Sequence, residues 1–335
     1  MMDGEWVIAA PLANRLLQKS GIGKPISGGS ITVLPEEIMF CHWYRHLPLP
    51  EGDWLEGEIK KDETFLAKSV FLDIAKQGGE VIRQLCHLSD ETYANLPSST
   101  YGLRWHRTTK FQSDKPSAAV RWFMSGDVVD WQELIDWQHE VSKHDLLAEV
   151  YVVDEEMDVT MYLLDTENPI GKARTWGDLS EAEVKVVEQL LTAKQFTNEG
   201  CFVPNSTDWP LLDIGVEHFD GRMLRSEEIT WLENCLSGTL SQNDEQFAVV
   251  DMLNRGLVLR PGFKYGCKWR AYDTGVGEAH APWLIQPSDS AASTWEEVCL
   301  SVRLAEGVNK RWTRIEVLND SVSYFSIRRS LPGRI

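Results

Sequence analysis

Residues 262–283 read GFKYGCKWRAYDTGVGEAHAPW, and residues 98–120 read SSTYGLRWHRTTKFQSDKPSAAV. An offset of 164 places Tyr101 on Tyr265, Gly102 on Gly266, Arg104 on Lys268 and Trp105 on Trp269. The same offset brings Trp131 onto Trp295 and Glu133 onto Glu297; after one inserted residue, DVTMYLL (158–164) lies over SVSYFSI (321–327). Each copy reads as strands, a helix opening near the Trp, and two strands about an acidic turn, Asp154-Glu155-Glu156 in one and Asn319-Asp320 in the other. One α/β module is thus predicted to occur twice.

A weaker repeat precedes each module. SITVLPEEIMF (30–40) resembles GRMLRSEEITWL (221–232), and FLDIAKQGGEVIR (71–83) resembles VVDMLNRGLVLR (249–260). In the second copy Ser226 is followed three residues on by Ile229 rather than a carboxylate, while Glu227 and Glu228 in the first turn still suit the helix dipole. Gly78-Gly79 and Gly256 read as helix ends before a strand. DTENPIGKARTWGD (165–178) reads as a linker, and Ser180 with Glu183 as a capping box opening the next helix. The expected fold is mixed α/β, two tandem units each of a small N-terminal α/β domain and a mixed-sheet module. The expected boundaries are 1–90, 91–165, 166–254 and 255–335.

The 335 residues suffice for several buried cores, and 43% hydrophobic residues with 14 Trp exclude a disordered chain. No apolar run approaches the roughly 20 residues of a membrane helix, and Asp3 and Glu5 stand where a signal peptide would be basic, so a cytoplasmic protein is expected. Cys41, Cys86, Cys201, Cys235, Cys267 and Cys299 form no CxxC pair; they read as buried thiols, with neither a zinc site nor a disulfide framework. The net charge of −18 is unevenly spread: residues 255–335 carry 12 Lys and Arg against 8 Asp and Glu, net +4, leaving −22 for residues 1–254. A local basic face can bind phosphate on an acidic protein, because charges beyond about 8–10 Å are screened.

A duplication is an internal control. Groups needed by the fold persist in both copies, whereas groups needed only by a reaction can decay in one. At the 164 offset Tyr272 faces Thr108, His280 the Pro116-Ser117 region, Lys310 Leu146, and Arg303 His139. A hydroxyl, an imidazole and two cations are thus kept in one copy and lost in the other. These groups suit RNA cleavage by its own 2′-hydroxyl, which needs a proton acceptor, a donor to the departing 5′-oxygen, and positive charge beside the phosphorane. An imidazole titrating at about 6.5 is a fitting acid. A phenol at about 10 is a poor base at neutral pH unless nearby cations lower it or transfer is concerted, and Lys268, Arg270 and Lys310 are the candidate neighbours. Taken singly, each is an ordinary strand aromatic, loop histidine or helix-end lysine.

From GFKYGCKWRAYD through HAPWLIQ and WEEVCLSVRLAEGVNK to VSYFSIRR, the chain resembles the archaeal tRNA-splicing endonuclease family. LLQKSGIGKPISGGSITVLPEEIMF (16–40) is similar to that family's N-terminal domain. The resemblance implies cleavage without metal or cofactor at bulges flanking a short helix in precursor tRNA, leaving a 2′,3′-cyclic phosphate and a 5′-hydroxyl. It implies Tyr272 as base, His280 as acid and Lys310 as transition-state cation. It further implies a bulge-base clamp of Arg303 with Arg329, or its neighbour Arg328, a homodimer, and pairing of the last strands at an interface, for which the apolar VTMYLL (159–164) and VSYFSI (322–327) are the candidates. An acidic loop inserted into a partner would correspond to Asp127 and Asp130 in SGDVVDW (125–131), which also reads as a solvated turn. Two rivals are a non-catalytic RNA-binding or structural subunit, and a metal-dependent nuclease using Asp289, Glu296 and Glu297. Recurrence of Glu297 as Glu133 favours a structural role for that carboxylate.

Overall fold

The computed structural model describes residues 6–88, 93, 95–239, 243–318 and 321–331. Asp3, Glu5 and the turn at Asn319-Asp320 lie outside the described residues. The fold is mixed α/β and forms two compact units: residues 1–165 with 292–300 and 327–335, and residues 166–291 with 301–326.

In the first unit, a three-stranded sheet (Trp6–Ile8, Ile31–Val33, Lys24–Pro25) precedes the helices Pro35–Arg45, Trp54–Lys61 and Phe65–Ala75. Pro35 begins its helix where a missing N–H costs nothing. The buried Glu37 carboxylate accepts from the Leu34 and Gly23 amides, both at 3.0 Å. The helix Phe65–Ala75 packs Phe71 against Tyr101 and Tyr151, with ring centroids 4.9 and 5.2 Å away. Beneath lies a sheet in the order Val159–Glu167, Leu147–Val153, Ala118–Met124, Gly102–Trp105, Val81–Gln84. Its one parallel pair, Ala118–Met124 with Leu147–Val153, is bridged by the helix Trp131–Lys143, as a parallel crossover requires.

The second unit opens with the helix Glu181–Thr192, where Ser180 and Glu183 make the expected reciprocal cap. Residues 195–225 then form an antiparallel sheet ordered Val216–His218, Gly221–Arg225, Gly200–Pro204, Gln195–Thr197. The next helix, Ser226–Ser237, begins one residue earlier than its sequence suggests: Arg225 is the cap, and Glu228 accepts its amide at 2.9 Å. Glu228 also accepts from Gly215 at 3.1 Å, the same double role Glu37 plays in the first unit. After the helix Asp244–Asn254 comes a sheet of Val258–Pro261, Trp269–Tyr272, Trp283–Pro287, Arg311–Leu318 and Ser321–Ser330. Its first pairings run antiparallel, antiparallel, parallel, like those from Val81 onward in the first unit. Trp209, Trp231 and Trp269 are each at most 2% exposed in its core.

Two readings of the sequence need correction. Residues 165–178 are no free linker: Gly171 and Ala173 donate to Arg255 and Gly256 at 2.9 and 3.0 Å, and Lys172 donates to Asp273 at 2.9 Å. Gly171 approaches so closely that a Cβ there would lie 1.9 Å from the Gly256 oxygen. The cysteines are all free thiols, but Cys86 is exposed, and Cys235 and Cys299 are half-buried.

Candidate active site

Tyr272 is the last residue of its strand, and register carries the site across the sheet from there. Ala271 pairs with Trp283 antiparallel, and Trp283 with Arg311 parallel. One residue further toward the same sheet end, Tyr272, Pro282 and Lys310 therefore stand abreast. Two inter-strand steps separate Tyr272 from Lys310, about 10 Å between backbones. The Arg311 amide donates to the Pro282 carbonyl at 2.8 Å and secures this alignment.

Ala281 is the meeting point. Its side chain packs with Tyr272 and Val258 in a small buried cluster bordered by Ala173, and its carbonyl accepts from Lys310 Nζ at 3.0 Å. His280 immediately precedes it and is exposed at the end of the turn 273–280. Lys310 follows Asn309, whose φ of 55° lets the chain leave the helix Trp295–Glu306 and enter the strand at once. Tyr272 and Lys310 are 7% and 9% exposed, whereas His280 is exposed. Ala281 was not singled out from sequence, since its contribution is a backbone oxygen that any residue supplies.

Arg270 adds charge. Its guanidinium lies 5.8 Å from the Tyr272 ring centroid and 5.7 Å from that of Tyr265, and its Nε donates to the Pro261 carbonyl at 3.0 Å. Burial, then the Arg270 charge, lowers the Lys310 pKa from the ordinary lysine value. Lys268 is drawn to Glu245 at 2.9 Å, and Arg311 to Glu167 at 2.8 Å.

The same registers correct the comparison with the first copy. Tyr272 pairs with Val258 as Trp105 pairs with Val81, so Trp105 and not Thr108 occupies the tyrosine's position. Thr108 instead lies in a turn, hydrogen-bonded to His106. Leu146 does hold the position of Lys310, one residue before a strand whose Leu147 pairs with Ala118. The first unit thus has an indole and an aliphatic side chain where the second has a phenol and an ammonium.

Arg303 is exposed near the end of its helix. Arg328 and Arg329 are exposed on the strand Ser321–Ser330. Asp127 and Asp130 serve their own loop: Asp127 accepts from the Met124 amide at 2.8 Å, and Asp130 caps the helix Trp131–Lys143 through the Glu133 amide at 3.0 Å. The loop backbone is also tied within the first unit, Val129 donating to Ser293 and Trp295 to Asp127. Asp130→Ala should therefore destabilise the protein by about 1 kcal/mol, the usual loss of such a cap, read as a shift in the urea midpoint. Glu297, offered above as a metal carboxylate, accepts from the Ser293 amide at 2.7 Å and its hydroxyl at 2.9 Å. Among the described residues, no group of three His, Cys, Asp or Glu side chains is placed to hold a metal ion, and no helix is long and apolar enough to cross a membrane.

Residues 244–324, which contain Tyr272, His280, Arg303 and Lys310, match the family model of the tRNA intron endonuclease, catalytic C-terminal domain. The chain is 25% identical over 183 residues to a tRNA-splicing endonuclease of Picrophilus torridus, covering 54% of this chain and 56% of that protein. It is 28% identical over 189 residues to one of Thermoplasma volcanium, covering 54% of each. A tRNA-splicing endonuclease of Methanothermobacter thermautotrophicus is 36% identical over 64 residues, 18% of this chain and 38% of that protein. The matched part thus spans about half the length of the first two relatives.

Proposed function

Starting from a chain related to the archaeal tRNA-splicing endonucleases, we propose that it cuts precursor tRNA at bulge-helix-bulge exon–intron junctions without a metal ion. The observation that supports this reading is that Tyr272 and Lys310 both meet Ala281, the residue that follows His280, at one sheet end inside the matched segment. Tyr272, reacting as phenolate, takes the 2′-hydroxyl proton while that oxygen attacks phosphorus. The phosphorus–O5′ bond breaks, and the His280 imidazolium gives its proton to the departing oxygen. The ends are a 2′,3′-cyclic phosphate and a 5′-hydroxyl. Lys310, steered by the Ala281 carbonyl, offsets charge on the non-bridging oxygens.

Arg303 and Arg329 stack on either side of a bulge base, with Arg328 the alternative to Arg329. The chain acts in the cytoplasm as a homodimer, each copy bringing one cutting module and one, around Trp105 and Leu146, that does not cut. The deciding experiment is incubation of the EDTA-treated protein with a bulge-helix-bulge RNA, with chemical identification of the new ends. Cyclic phosphate and 5′-hydroxyl are expected; intact RNA that is nevertheless bound would make the chain a non-catalytic RNA-binding subunit, and cutting only with added Mg2+ would make it a metal nuclease.

The environment of Lys310 sets a pH dependence. Its lowered pKa means that the ammonium is lost at a lower pH than the roughly 10.4 of a free lysine as pH rises. The alkaline fall of single-turnover cleavage should begin correspondingly early, and Lys310→Arg should move it upward because a guanidinium stays charged. An alkaline limb unmoved by that substitution would remove Lys310 from the ionisation.

A further inference from the structure

Resting on that reading, we propose that the turn Phe263–Tyr265 is a stacking platform for an unpaired nucleobase of the RNA, separate from the cleavage triad and from the arginine clamp. Phe263 is 76% exposed, and Lys264 Nζ lies 5.9 Å from its ring centroid. Tyr265, on the same single turn, faces the Arg270 guanidinium, which also faces Tyr272. Two aromatic–cation pairs thus start from one short turn, and the second shares its guanidinium with Tyr272. Neither Lys264 nor Arg270 pairs with a carboxylate among the described residues, so their charge is available to phosphate. A flat π-face beside free cations is what single-stranded RNA recognition uses.

The turn is held rigidly in this outward pose. Tyr265 donates to Gly262 at 2.8 Å and Gly262 to Lys268 at 2.9 Å. Gly266 supplies the left-handed φ of 68°. A Cβ on Gly262 would lie 2.4 Å from the buried Cys267 sulfur. Phe263 is thus carried on a hydrogen-bonded turn, so a base that stacks on it meets a surface already in place. The turn also abuts the helix carrying Arg303, since a Cβ on Gly266 would touch Leu304 at 3.9 Å.

The test uses the full chain in EDTA and a bulge-helix-bulge RNA carrying 2-aminopurine at a bulge position, beside a fully paired duplex of equal length. Wild type and Phe263→Tyr should quench the 2-aminopurine on binding. Phe263→Ala should lose the quench and bind the bulged RNA about 10-fold more weakly. Duplex binding should change less than about 2-fold, and cleavage at saturating protein should stay within about 3-fold of wild type. Equal weakening on duplex, unchanged binding of bulged RNA, or a Phe263→Ala protein that changes oligomeric state would each overturn the platform, the last by making the surface a contact between copies. Quenching by a wild type that does not cut would sink the cleavage reading and leave the platform standing. Cutting by a wild type whose Phe263→Ala variant binds normally would do the reverse.

Discussion

His280→Ala should cut bulged precursor RNA about 10²- to 10⁴-fold more slowly than wild type under single turnover, with RNA affinity within a few-fold of wild type. That range is what a positioned general acid contributes. The side chain is exposed and supports no packing, so thermal stability should not move. The separation of rate from affinity and stability tests the acid role itself. Lys310→Ala, in contrast, removes a buried side chain and its bond to Ala281, and should lower both rate and melting temperature. If His280→Ala cuts within about 10-fold of wild type, another group protonates the 5′-oxygen. A substrate whose 5′-oxygen is replaced by sulfur, a leaving group that needs no proton, should restore most of the lost rate.

Arg104→Met should destabilise the protein by about 3–5 kcal/mol, the usual result of stripping the partner from buried charges. Arg104 is 1% exposed and lies between Glu80 and Glu149, themselves 2% and 0% exposed. Its Nε donates to both Glu149 oxygens at 3.0 and 2.8 Å, and its Nη1 to Glu80 at 2.6 Å. Burial raises the Glu149 pKa even with the guanidinium in place. In the variant the penalty for the ionised Glu149 carboxyl is fully present above its raised folded-state pKa and relieved as pH falls through it. The melting-temperature gap to wild type, on the order of 10 °C at pH 7.5, should therefore narrow at pH 5. A gap below about 2 °C at pH 7.5 would mean that the carboxylates find other partners. The equivalent sheet positions of the second unit hold Leu257, Ala271 and Thr313, a largely apolar solution. Adding Glu80→Leu and Glu149→Leu to Arg104→Met should accordingly recover most of the loss.

Much of the molecule is legible in one dimension. The spacing from Tyr272 through His280 to Lys310, the repeat at 164, the Ser180 cap and the alternation of strand and helix are properties of adjacent or evenly spaced residues. Side-chain chemistry and backbone period write these directly into sequence. Strand register is different, because it is set between segments far apart in the chain, where inserted loop residues shift a counting offset without moving the strands. Only the fold put Trp105 in the tyrosine's position, tied Gly171 and Ala173 beside the site, and spent Asp127 and Asp130 on their own loop. It also brought Tyr272 and Lys310 to Ala281, one through packing and the other through a carbonyl whose direction depends on three paired strands. Residue types determined which chemistry this protein can hold; the pairing of strands, a non-local balance of hydrogen bonds and burial, decided where those groups come together.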